Sequence, residues 1–137
     1  MSDVPAPACS ALVTPAWVMA GWGRNVAGVL VAGDCRLAFL TEEGPLFDAP
    51  ITEVTEVSWP WHWVGGGVKL RAAGTPYKIT FILPNGAQQA PPSLIESGIA
   101  LVTVAAGAVP SHSLAGFVDI RGGRAAGRRW KEVLPAA

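Results

Sequence analysis

The chain has 137 residues, of which 50% are hydrophobic and 15% charged, with ten Lys and Arg against ten Asp and Glu. That length fits one domain burying roughly two-thirds of its unfolded surface, and the composition excludes extensive disorder. Zero net charge excludes a global electrostatic pull toward nucleic acid or anionic lipid.

Residues 1–10 are rich in Pro and Ala and read as a flexible N-terminal arm, with residues 11–134 as a single domain. The first residues lack a basic region and are broken by Pro5, Pro7 and Pro15, a poor match to a signal peptide. The longest apolar run, Ile99 to Val109, is interrupted by Gly107 and is too short to span a bilayer. A cytoplasmic protein is therefore expected. Cys9 and Cys35 are the only cysteines and belong to no CxxC motif or Cys/His cluster, so no zinc site is indicated. In that compartment two free thiols are expected in preference to a disulfide.

From Ala11 to Gly23 the residues are apolar, but Pro15 and the glycines disturb any period, and strand and short helix both fit. Val26 to Ala32 reads as a strand, Gly33-Asp34 as a turn and Arg36 to Thr41 as the partner strand. Glu42-Glu43-Gly44-Pro45 reads as a turn and Leu46-Phe47 as a short extended piece. Glu53 to Trp59 is β-branched and stops at Pro60.

The next two strands are the clearest. Val68, Leu70 and Ala72 alternate with Lys69 and Arg71; Tyr77, Ile79, Phe81 and Leu83 alternate with Lys78 and Thr80. This period of two predicts a hairpin, Val68–Ala73 with Tyr77–Leu83, turning through Ala73-Gly74-Thr75-Pro76. Its apolar face must be covered by another layer. Residues 93–106 fit a helix on the Leu94/Ile95/Gly98/Ile99/Val102 stripe and the Ser93/Glu96 capping-box spacing, and fit a strand on their β-branched content. Leu114, Phe117 and Val118 can share a helical face. Arg124 to Leu134 predicts an amphipathic helix, with Ala126, Trp130, Val133 and Leu134 opposite Arg124, Arg128 and Lys131.

Five strands at this spacing indicate an antiparallel sandwich or barrel. The run from Val26 to Phe81 resembles bacterial members of the GRAM/PH-like superfamily. The resemblance is carried by Gly28-Val29-Leu30-Val31, Arg36-Leu37-Ala38-Phe39, Leu46-Phe47-Asp48-Ala49-Pro50-Ile51, Val54 and Val57-Ser58-Trp59, followed by a basic-apolar hairpin. It covers about 55 residues, with no single diagnostic motif. It implies a mainly β fold with a C-terminal helix (α+β): a partly open seven-stranded antiparallel barrel capped by that amphipathic helix. The two missing strands would come from residues 11–22 or 99–106. It also implies a non-enzymatic binding module.

The residues themselves show no convincing catalytic set. Glu42 and Glu43 flank a turn and read as solvated charges. His62 and His112 are isolated, so no metal and no cofactor are expected. Ser93, Ser97, Ser111 and Ser113 lack a nucleophile elbow, and Gly65-Gly66-Gly67 is not followed by a phosphate-loop helix. Trp59, Trp61 and Trp63 carry more information: in an extended chain alternate residues share a face. They read either as core packing or as an aromatic contact for a partner protein. Arg121, Arg124, Arg128, Arg129 and Lys131 make residues 111–137 basic, five cations against Asp119 and Glu132. Of these, Arg121, Arg124, Arg128 and Lys131 are candidate contacts for anionic lipid, or else a solvated helix face. PH domains that read phosphoinositides place several cations in the first hairpin; here it holds Arg36 beside Asp34. A protein partner is the favoured expectation, peripheral contact with anionic phospholipid the alternative; nucleic acid is not expected.

Overall fold

In the computed structural model, which describes residues 11–19, 25–33, 35–60, 66–82, 84, 91–106 and 123–134, seven strands form one antiparallel sheet. They are β1 (Leu12–Met19), β2 (Asn25–Gly33), β3 (Arg36–Thr41), β4 (Gly44–Pro50), β5 (Val54–Ser58), β6 (Gly67–Ala72) and β7 (Thr75–Thr80). A 3-10 turn, Ile51–Glu53, leads into β5. Two helices follow, α1 (Pro92–Ala106) and α2 (Gly123–Val133). The strand order is β4-β3-β2-β1-β7-β6-β5. No helix among the described residues is long and apolar enough to cross a membrane.

The segment left open between strand and helix is β1, the sheet's central strand. It pairs with β2 along its whole length, from Leu12↔Ala32 to Met19↔Asn25. β7 pairs only with its Trp17 and Val18. Pro15 therefore has one side free of the ladder, where a missing N–H costs nothing. Residues 44–50, expected as a turn and a short extended piece, form the full strand β4. It tolerates Pro45 and Pro50 because it is an edge, paired among the described strands with β3 alone. The β6–β7 hairpin is tighter than expected. Ala73 (φ 49°) and Gly74 (φ 87°) make a two-residue turn with both angles positive, matching strand twist, so Thr75 and Pro76 already belong to β7. β7 also ends sooner, at Thr80. Phe81 stays in the core because its N–H donates to the Gly66 carbonyl at 2.8 Å.

The free-thiol expectation fails at Cys35, which is disulfide-bonded at the β2–β3 turn. Cys9, the only other cysteine, stands three residues ahead of Leu12; Cys35 stands three residues past Ala32, the partner of Leu12. Spacing alone did not reveal this, because it depends on the β1–β2 register.

One buried cluster draws side chains from every strand, including Leu12, Leu30, Phe39, Phe47, Val57, Leu70 and Ile79, and from α2. A flat sheet cannot bring both edges to one cluster. This one curls until Phe47 on β4 meets Tyr77 on β7, ring centroids 4.6 Å apart, across the three intervening strands. β4 and β5 do not pair, so the sheet is open. Trp130 of α2 enters the curl fully buried. It stacks on Phe81 with centroids 6.2 Å apart and donates its indole N–H to Thr14 Oγ1 at 2.9 Å.

Residues 93–106, for which helix and strand both fitted, are helix, and α1 begins one residue earlier. Pro92 takes the first position, where no N–H is needed, so Ser93 lies inside the first turn rather than capping it. The helix packs on the sheet's outer face through Leu94 against Val13, Val29 and Val31. That explains the unbroken apolar run of β2, which is buried on both faces. Gly98 permits the close approach: a Cβ there would lie 3.0 Å from Val13 Cγ1 and 3.1 Å from Val31 Cγ2.

Candidate functional site

Trp59 follows β5, the other sheet edge. Its position is set by the strand's apolar residues Val54 and Val57, which anchor it to the interior cluster. The ring is half-buried against that cluster. Its remaining face is partly covered by α2, whose Lys131 Nζ lies 5.5 Å from the ring centroid, a cation–π arrangement. The helix can offer this lysine because Ala126, Trp130 and Leu134 are buried on its opposite side, while Arg128, Lys131 and Glu132 are exposed.

Two candidates far apart in sequence, the aromatic cluster and the basic C-terminal segment, thus meet at Trp59 and Lys131. Arg128 stands one turn before Lys131 on the same helix. Arg124 belongs to the first turn of α2. Trp61, Trp63 and Arg121 lie outside the described residues, as do the arm at residues 1–10, His62, His112, Ser111, Ser113 and the Leu114/Phe117/Val118 stripe.

Other candidates take ordinary roles. Glu42 and Glu43 are exposed in the two-residue turn between β3 and β4. Ser97 donates to the Ser93 carbonyl at 2.9 Å within α1. Gly66 and Gly67 are buried where β6 begins. Arg36, the cation of the first hairpin, is paired with Asp48 across β3 and β4 at 3.0 Å. Among the described residues no group of three His, Cys, Asp or Glu side chains is placed to hold a metal ion.

A second charged surface was not singled out from sequence, although the alternation contained its signal. On β6 and β7 the polar positions share the outer face. Lys69 lies directly opposite Lys78, and Ser58 of β5 directly opposite Lys69. Arg71, two residues along, donates to Glu56 Oε2 at 2.7 Å and to the Gly74 carbonyl at 2.8 Å. Glu56 sits in a β-bulge with φ 53°, a left-handed backbone that non-glycine residues rarely adopt. A groove of about 590 Å³ runs here, lined in part by Met19, Glu56, Ser58, Lys69, Tyr77 and Lys78.

No protein-family model, curated protein or solved structure matches this chain.

Proposed function

We propose that this chain is a non-enzymatic binding module of PH/GRAM-like architecture whose partner is another protein. The architectural reading is supported by seven antiparallel strands in one curled sheet and by a C-terminal amphipathic helix with a buried Trp. The observation that carries the functional reading is the Trp59–Lys131 corner. A half-covered indole at the end of an edge strand lies beside the exposed cations of α2. Partly exposed Trp and adjacent cations are the composition of interaction hot spots, and a strand edge that pairs with no further strand among the described residues offers backbone groups for strand addition. Trp61 and Trp63, which follow at alternate positions, extend the aromatic reading.

A pull-down from native lysate tests it, comparing the parent protein with Arg128→Glu/Lys131→Glu and with Trp61→Ala. Proteins retained by the parent and lost from both folded variants support the surface. Identical retention by all three refutes it. The second reading, peripheral contact with anionic phospholipid, draws on Arg121, Arg124, Arg128 and Lys131. It is disfavoured by the first hairpin, whose Arg36 is engaged with Asp48. Sedimentation with phosphatidylserine vesicles that is lost in the double variant would reverse this ranking. The disulfide at Cys35 shifts the proposed compartment from the reducing cytoplasm to an oxidising one.

A further inference from the structure

We propose, resting on the protein-partner reading above, that the Trp59–Lys131 corner binds an acidic segment of that partner. The segment is extended, with carboxylates at alternate positions and an apolar residue between them.

The fold matches some of its exposed cations and leaves others open. Arg36 pairs with Asp48 at 3.0 Å and Arg71 with Glu56 at 2.7 Å. Arg128 and Lys131 are exposed on α2, and among the described residues neither meets a carboxylate, although Glu132 neighbours both in the helix. Lys131 instead holds its Nζ 5.5 Å from the Trp59 ring centroid. A carboxylate that joins this ammonium does so at the margin of a half-buried indole, where the dielectric is lower than in open water and an ion pair is stronger. Arg128 adds a planar fork of donors suited to a carboxylate.

Spacing sets the pattern of the segment. Residues three apart on a helix, as Arg128 and Lys131 are, stand about 5–6 Å apart on one face. Alternate side chains of an extended chain share a face and repeat every ~6.4–6.8 Å. Two carboxylates at alternate positions therefore reach both cations together. The residue between them is available for apolar contact with the exposed part of Trp59. At the start of β5, away from Trp59, stand Glu53, which is exposed, and Glu56, already engaged by Arg71. A short peptide can meet the cationic end of this edge without approaching Glu53, which favours it over a uniformly anionic bilayer.

Amide and indole NMR of the full chain, titrated with acetyl-Ser-Glu-Phe-Glu-Ser-amide, tests this, with peptides carrying Gln or Lys in place of both Glu residues as controls. Expected with the Glu peptide are saturable shifts at the Trp59 indole N–H, Arg128 and Lys131, and weaker binding as NaCl rises from about 0.02 to 0.5 M. Affinity should fall about two- to fivefold in Arg128→Gln and in Lys131→Gln, the range of an exposed ion pair, and should hold in Lys131→Arg. Both side chains are exposed, so unchanged unfolding midpoints separate lost binding from lost fold. Equal affinity of the Gln peptide at the same residues overturns the acidic chemistry and leaves the corner as a contact. The proposal is equally overturned by the absence of saturable shifts with the Glu peptide, or by undiminished affinity in both Gln variants. The pull-down judges the corner separately, through partners lost from the charge-reversed variant. Sedimentation with phosphatidylserine vesicles that needs Arg128 and Lys131, without Glu-peptide binding, assigns the surface to lipid and also overturns the proposal.

Discussion

The hydrogen bond from Trp130 to Thr14 ties the C-terminal helix to the central strand across 116 residues of sequence. Both residues are fully buried, so water cannot replace either partner. Thr14→Val keeps the side-chain shape and removes the acceptor. The indole N–H is then buried and unpaired, at a cost of about 1–3 kcal/mol. Trp130→Phe removes the donor and leaves a small cavity beside Phe81, costing less than the roughly 3–5 kcal/mol of Trp→Ala. In the Thr14→Val background the same Trp130→Phe change no longer breaks a hydrogen bond and also removes the orphaned donor. The double variant is therefore expected to lose about 1–2 kcal/mol less than the sum of the single losses. Urea unfolding of the four proteins measures this directly. A total stability of about 5–15 kcal/mol leaves room for both single losses. Additivity within about 0.5 kcal/mol would refute the bond and with it the docking of α2 onto β1.

Three further outcomes are expected. Gly28→Ala should disrupt the β2–β3 pairing, because a Cβ there would overlap the Leu40 carbonyl oxygen and lie 2.5 Å from the Phe39 ring; a loss of about 1–3 kcal/mol in urea unfolding is the overpacking range. Truncation before residue 124 removes Trp130 and should expose the sheet's interior, seen as dye binding or aggregation; a truncated chain that stays monomeric and equally stable would make α2 an appendage. Thiol titration of the denatured protein without reductant should find almost no free thiol, and reduction should cost about 3–4 kcal/mol for a loop of this length; two titratable thiols would remove the disulfide.

Much of the sheet was written in local pattern. Alternation assigned the buried and polar faces of β6 and β7, and the spacing of Ala126, Trp130 and Leu134 assigned the buried side of α2. These signals are legible because a strand repeats every two residues and a helix every 3.6, so a half-buried element carries its period in its own residues. Where burial is two-sided, that contrast disappears. β1 is covered by the interior cluster on one face and by α1 on part of the other, and its residues alone left strand and helix open. The same holds for α1, whose β-branched residues left its class undecided until Leu94 and Gly98 met Val13, Val29 and Val31.

The candidate sites divide in the same way. Composition marked Trp59 as an aromatic contact and Lys131 as part of a basic face, and alternation placed Lys69 and Lys78 on polar positions. Their juxtapositions are not local properties. Lys131 reaches Trp59 only because Trp130 is held on Thr14 and Phe81, and Lys69 faces Lys78 only because a two-residue turn fixes the hairpin register. The Cys35 disulfide likewise follows from chain pairing and not from cysteine spacing. Sequence determined which residues seek water and which avoid it; the curl of the sheet and its registers decided which of them became neighbours, since each contact depends on chain segments far apart in sequence.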